Sequence, residues 1–206
     1  GDEGFTHKCL DKFGEFKRRG KTILLVTHSL DLVEKFCDRA LWLDKGRTLA
    51  EGEPTTNAGT ATTMQVASRN GRNKRVILQF DLSQIPPGAT INSATLELFM
   101  TTAPSQSRTY SAHRLTRTWT ESRATWITAQ SGTSWTTAGG DYQATAAASA
   151  TTETTGNVWR SWTVTTDVQA WVNGEAQNYG ILIKDDSEKS GNTRTATFAS
   201  EDNAIA

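Results

Sequence analysis

The chain has 206 residues, with 22 basic and 22 acidic side chains and a net charge of zero at neutral pH. That length holds one large domain or two small ones around a core that needs no covalent staples. The charge balance leaves no basic field for nucleic acid, and no apolar run reaches the ~20 residues of a membrane-spanning helix, so neither partner is expected.

The first elements read as α/β. Phe5, Cys9, Leu10, Phe13 and Phe16 recur at spacings near four, giving a helical face that Gly20 ends. "TILLVT" from Thr22 is an uninterrupted aliphatic run that suits a strand buried on both faces. From Ser29 the helical spacing returns, with Leu32, Val33, Phe36 and Cys37 inward. "ALWL", "DKGR" and "TLAEG" then predict a hairpin. Cys9 and Cys37 have neither a CxxC spacing nor enough histidine nearby for zinc, and read as reduced thiols.

After Pro54 the composition shifts to Thr, Ser, Ala, Gly and Asn, and six of the seven tryptophans follow, so a domain boundary is placed at residues 52–57. Alternation with period two marks strands in "NKRVILQFDL" and "ATLELFMTT", where Leu96, Leu98 and Met100 share a face. "TTMQVA", "RTYSAHRL", "VWRSWTV", "YGILIK" and "TRTATFA" are further strands between turn-forming clusters. "TDVQAWVNG" predicts one short helix with Thr166 and Gln169 at capping-box spacing, Val168, Trp171 and Val172 inward, and Asn173-Gly174 as its stop. Residues 128–157 show weak periodicity and predict a long loop or irregular edge. The fold class is mainly β: an antiparallel jelly-roll-like sandwich over 55–206, preceded by a partial α/β segment over 1–54.

"TILLVTHSLDLVEKFCDRALWLDKGRTLAEGEP" resembles the C-terminal end of an ABC-transporter ATPase domain of the kind that energises polysaccharide export. The resemblance implies that His28 is the switch histidine that senses a γ-phosphate, and that Gly1 and Asp2 are the tail of the D-loop. It also implies ATP, Mg²⁺ and a transporter membrane subunit as partners of an intact parent, at the cytoplasmic membrane face. The sequence contains no GxxxxGK[ST] loop, LSGGQ-like signature or Walker B strand, so this chain is expected neither to bind nor to hydrolyse ATP.

"NKRVILQFDLSQIPPGATINSATLELFM", "RLTRTWTESRATW", "WTVTTDVQAWVNGEAQNYGILIK" and "ATFASED" resemble the DNRLRE family, related to disaggregatase repeats and some carbohydrate-binding modules. That resemblance implies a non-catalytic, extracellular or cell-surface sandwich associated with polysaccharide, here without the family's first and last strands. "TLAEG" is a candidate substitute for the missing strand.

A flat indole can stack on a pyranose ring while polar neighbours orient the hydroxyls. Trp119, Trp126 and Trp135, with Glu121 and Arg123, stand in loop-like surroundings and are the sugar-binding candidates, although packing in a core is the other use of such residues. Trp162 and Trp171 are assigned to the core, and Trp159 is open to either role. Asp185, Asp186 and Glu201 are weak calcium candidates, against a reading as solvated turn charges. The leading function is a carbohydrate-binding module joined to an incomplete exporter ATPase; a fragment of an export ATP-binding subunit and an adhesive surface module are the alternatives.

Overall fold

The computed structural model of the chain describes residues 42–58 and 61–200. The elements expected over 5–37, and with them Gly1, Asp2 and His28, lie outside the described residues, as does Glu201. A compact unit begins at Trp42. It contains β1 (Trp42–Ala50), β2 (Thr63–Ser68), β3 (Lys74–Asp81), β4 (Thr95–Thr102), β5 (Arg108–Arg114), β6 (Thr128–Gln130), β7 (Thr133–Ser134), β8 (Ala148–Thr152), β9 (Val158–Thr163), α1 (Thr165–Val172), β10 (Ile181–Asp185) and β11 (Arg194–Ala199).

Nine of these strands form one antiparallel sheet that folds over on itself: eight follow one path from β8 to β9, and β1 branches from it by pairing with β3. Five of them, in the order β1-β3-β10-β5-β8, make one face, and four, in the order β2-β11-β4-β9, make the other. A single pairing, Ala67 with Lys74, joins the two at the β2–β3 corner. The far ends of the path, β8 and β9, come alongside each other, so the sandwich is nearly a closed barrel.

The alternation read from sequence fills the space between the faces. Leu96, Leu98 and Met100 of β4 meet Val76 and Leu78 of β3, Ile181 and Ile183 of β10, and Phe198 of β11. Trp162 lies in the same core at 1% exposure, its indole N–H donating to the Tyr110 carbonyl at 2.8 Å. Each such apolar side chain, moved from water to the core, contributes about 1.5–3 kcal/mol. α1 closes one end with Val168 and Val172 buried and Trp171 packed against them.

Three expectations are corrected. "ALWL" to "TLAEG" is not a hairpin: β1 is one strand, whose last six residues lie opposite Gln79 to Lys74 of β3, after a register shift between Leu43 and Lys45. The free edge of β3 supplies a longer partner than the four-residue "DKGR" turn could join. The capping box is not formed either, because α1 has Val164 at its N-cap and no side-chain cap bond. Gln169 instead accepts from the Ile91 N–H at 2.7 Å and donates to the Ala89 carbonyl at 3.0 Å, tying α1 to the loop before β4. Finally, residues 148–152 are strand β8, paired with β5, and not loop.

A second core lies on the outer face of the five-stranded sheet. Leu49, Ile77, Leu115 and Leu182 project from it and are covered by the segment around Trp119, Ala124, Trp126, Ala129 and Trp135. That segment holds only the short β6–β7 pair, so side-chain packing and hydrogen bonds fix it to the sheet. Gly180 enters β10 at φ 94°, and a Cβ there would run into the Leu78 carbonyl, so only glycine lets the two strands approach.

Candidate functional site

The covering segment stops short of the sheet's end, and beyond it the outer face is open. On β5, Ser111 and His113 share this face, with Leu115 just past the strand's end; on β10, Leu182 and Lys184 do so, with Leu182 opposite His113 and Lys184 opposite Ser111. Leu115 and Leu182 are buried, whereas His113 and Lys184 line an open cleft of about 690 Å³. Thr116, Arg117, Thr136, Thr137, Gly140, Asp141, Tyr142 and Ala144 complete its walls.

Hydrogen bonds hold this wall in place. Asp141 accepts from the Thr136 and Thr137 N–H groups, both at 2.9 Å, and from Arg117 Nε at 2.6 Å. Burial pulls its carboxyl upward, but those hydrogen bonds outweigh burial and hold it below the usual carboxylate range. Tyr142 packs edge-on against His113, ring centroids 4.9 Å apart, and its ring carries the Arg75 guanidinium 5.4 Å from its centre. Arg75 lies over Trp126 as well, donates to the Gly139 carbonyl at 2.9 Å, and forms a two-point pair with Glu188 at 2.7 and 2.8 Å. Gly139 takes φ 91° where a Cβ would strike Arg75 and Trp126, so the turn before Tyr142 requires glycine.

His113 is 6% exposed. Its Nδ1 donates to the Gln143 carbonyl at 2.8 Å, which leaves Nε2 as the acceptor of a neutral ring. Burial, opposed by that bond and assisted by Lys184, pushes its pKa below 6.5. The cleft therefore offers a half-buried aromatic ring, threonine hydroxyls, and two cations against one carboxylate.

The three tryptophans expected to bind sugar are placed elsewhere. Trp119, Trp126 and Trp135 are 2%, 7% and 5% exposed in the second core. The Trp119 and Trp135 indole N–H groups donate to the Tyr179 and Thr125 carbonyls, each at 2.9 Å. Each indole is enclosed between sheet and loop, with little of either face open to a pyranose. Glu121 accepts from the Gly46 N–H at 3.1 Å and pairs with Arg47 at 3.2 Å, fastening the covering segment to β1. Arg123 is exposed on that segment, outside the cleft lining.

Of the calcium candidates, Asp185 and Asp186 lie among the described residues, in different settings. Asp185 is fully buried, and both its oxygens are taken by Arg108, at 2.7 and 2.8 Å. Asp186 is exposed, and among the described residues no cluster of three His, Cys, Asp or Glu side chains could hold a metal.

Trp159 is the most exposed indole among the described residues, at 50%, and it packs on Phe99 with centroids 5.3 Å apart. Period two gives this directly: Trp159 and Trp162 are three residues apart on one strand, so one must face out if the other faces in. Phe99 follows the same rule between Leu98 and Met100. No comparable signal marks Tyr142, His113 or Lys184, which come together only through the pairing of β5 with β10 and the path of the covering segment.

A jelly-roll-like sandwich with an open, partly aromatic cleft on one sheet is the architecture of a polysaccharide-binding module. The chain belongs to carbohydrate-binding module family 96, whose family model matches residues 48–206. The match begins within β1, so the end of the ATPase-like stretch serves as a strand of the sandwich.

A short segment is similar to a second group of proteins. It is 53% identical over 53 residues to the teichoic acids export ATP-binding protein TagH of Bacillus anthracis, covering 26% of this chain and 10% of that protein. It is 53% identical over 55 residues to the O-antigen export system ATP-binding protein RfbB of Myxococcus xanthus, covering 27% of this chain and 13% of the relative. The TagH of Listeria monocytogenes is 54% identical over 46 residues, 22% of this chain and 14% of its own length. The chain thus spans about a tenth to a seventh of these relatives.

Proposed function

We propose that this carbohydrate-binding module takes a polysaccharide segment in the cleft between β5, β10 and the 136–144 wall, with a sugar ring against Tyr142. The observation that carries this reading is the open cleft of about 690 Å³, in which Tyr142 lies beside hydroxyl and cationic side chains. Thr136, Thr137 and Thr116 supply hydroxyls for a ligand's hydroxyl groups, and Lys184 and Arg117 favour a sugar that carries a carboxylate. Titration with polygalacturonate tests this. Tyr142→Ala and Lys184→Ala each weaken binding about tenfold, and affinity falls as salt rises from 0.05 to 0.5 M because the cations are screened. Unchanged affinity in both variants places the ligand elsewhere.

A second reading is favoured by the 53% identity to export ATP-binding proteins. In it, residues 1–54 are the end of an exporter subunit whose phosphate-binding parts lie in a longer parent, and the sandwich holds the exported polysaccharide. ATP-dependent phosphate release by such a parent, lost on His28→Ala, supports it.

A further inference from the structure

We infer that the outer face of the four-stranded sheet is a second glycan-contact surface, centred on Trp159 and Phe99 and suited to an uncharged polysaccharide. The inference rests on the carbohydrate-binding character of the family but not on the cleft, which lies on the other sheet.

The register places the parts side by side. β4 and β9 pair with Phe99 opposite Trp159, Glu97 opposite Ser161 and Thr95 opposite Thr163. The residues between them are Leu96 and Leu98 on β4 and Arg160 and Trp162 on β9; Leu96, Leu98 and Trp162 are in the core and Arg160 is half-buried, so by alternation the other six side chains share the outer face. Trp159 is half exposed and leans on Phe99 at 60°, which presents one side of the indole to solvent while its neighbour fixes its angle. The flanking strand continues the polar character, with Thr195 and Thr197 of β11 on the same face and partly exposed.

The chemistry of this surface selects its occupant. Two aromatic rings supply at most a few hundred Å² of apolar area, well short of the ~800 Å² per partner of a stable protein interface. The surrounding groups are hydroxyls, without the aliphatic side chains that complete an interface core. A pyranose presents an apolar C–H face edged with hydroxyls, which an indole within a field of Thr and Ser oxygens complements. Glu97 adds a carboxylate to the patch, so anionic sugars are repelled here, in contrast to the two cations of the cleft.

The test uses the full chain and three uncharged polymers: a soluble β-glucan, an arabinoxylan and a galactomannan. The readouts are acrylamide quenching of tryptophan fluorescence, affinity, and sedimentation velocity. At least one polymer is expected to shield a quenchable fraction that is absent in Trp159→Ala. That variant weakens binding of the polymer about tenfold, Trp159→Tyr restores most of it, and Tyr142→Ala leaves it within about twofold. Polygalacturonate binding is unchanged by Trp159→Ala. Failure of all three polymers to shield Trp159, or equal affinity of wild type and Trp159→Ala, overturns the inference while leaving the cleft untouched. A wild-type dimer that Trp159→Ala dissociates overturns it in favour of self-association. Loss of all polysaccharide binding in the wild type, polygalacturonate included, overturns both readings together.

Discussion

Trp135 shows how far an indole's role depends on what lies over it. It is 5% exposed, with its N–H bonded to the Thr125 carbonyl, which in turn sits in the segment covering Leu49, Ile77 and Leu182. Trp135→Ala removes that packing and leaves a carbonyl without its donor, at a cost of about 3–5 kcal/mol in unfolding free energy. Urea unfolding followed by near-ultraviolet circular dichroism measures this. At a temperature where the variant is still folded, its polygalacturonate affinity falls less than that of Tyr142→Ala, since the indole supports the cleft wall without touching ligand. An affinity loss with unchanged stability would return Trp135 to the binding surface. The sequence around it, "TAQSGTSWTTAGG", has no periodicity, and a segment without periodicity reads as exposed. Its burial comes from being laid flat on a sheet whose Leu49, Ile77 and Leu182 lie 47 or more residues from Trp135 along the chain. By contrast, the outward faces of Phe99 and Trp159 were legible, because strand alternation is a local rule that the neighbouring core residues fix.

Among elements, β1 has the largest consequence. It lies along β3 through eight register positions and buries Leu49 completely. Without it, the edge of β3 and the apolar patch of the second core are open to solvent and to other chains. A protein spanning residues 42–206 is therefore expected to unfold cooperatively as a monomer, whereas one spanning 55–206, which starts at the change in composition, loses stability and self-associates. Size-exclusion chromatography and thermal unfolding of the two proteins check this, and equal midpoints with equal elution would show that β1 is dispensable. Leu49→Ala in the full chain, at about 2–5 kcal/mol, gives the packing part of the effect alone. Composition placed the break after β1 because these residues keep the pattern of the exporter ATPases they resemble; pairing with β3 depends on backbone groups, which every sequence has. β3 and β4 were readable from period two, and β10 and β11 from the turn-forming clusters that bound them. β8, "ASATT", was not, since its alternation is carried by small Ala, Ser and Thr side chains and is weak in hydropathy.

For the molecule as a whole, acid reports how the covering segment is held. His113 and Asp141 both sit where that segment meets the five-stranded sheet, and their pKa values are both lowered in the fold. A lowered pKa means that the unfolded chain binds the proton more readily. The stability each group contributes is therefore present above its unfolded pKa and is lost as pH falls through its folded one. For His113 the loss begins as pH drops below 6.5. For Asp141 it begins below 3.8. Asp167, whose pKa burial raises against the pull of Arg114, acts in the opposite sense: its contribution is present in acid and disappears as pH rises through its folded value. The wild-type melting temperature is thus expected to be level from pH 8 to 7 and to decline from pH 6.5 to 5, a range in which, among the described residues, His113 is the group with a lowered pKa that titrates. His113→Gln can still donate to the Gln143 carbonyl but takes up no proton, so its melting temperature changes less across that range. Parallel declines in the two proteins would show that His113 does not set the acid response, and would leave the buried indoles and Arg75, which bonds the Gly139 carbonyl and lies over Trp126, as the ties between sheet and covering segment.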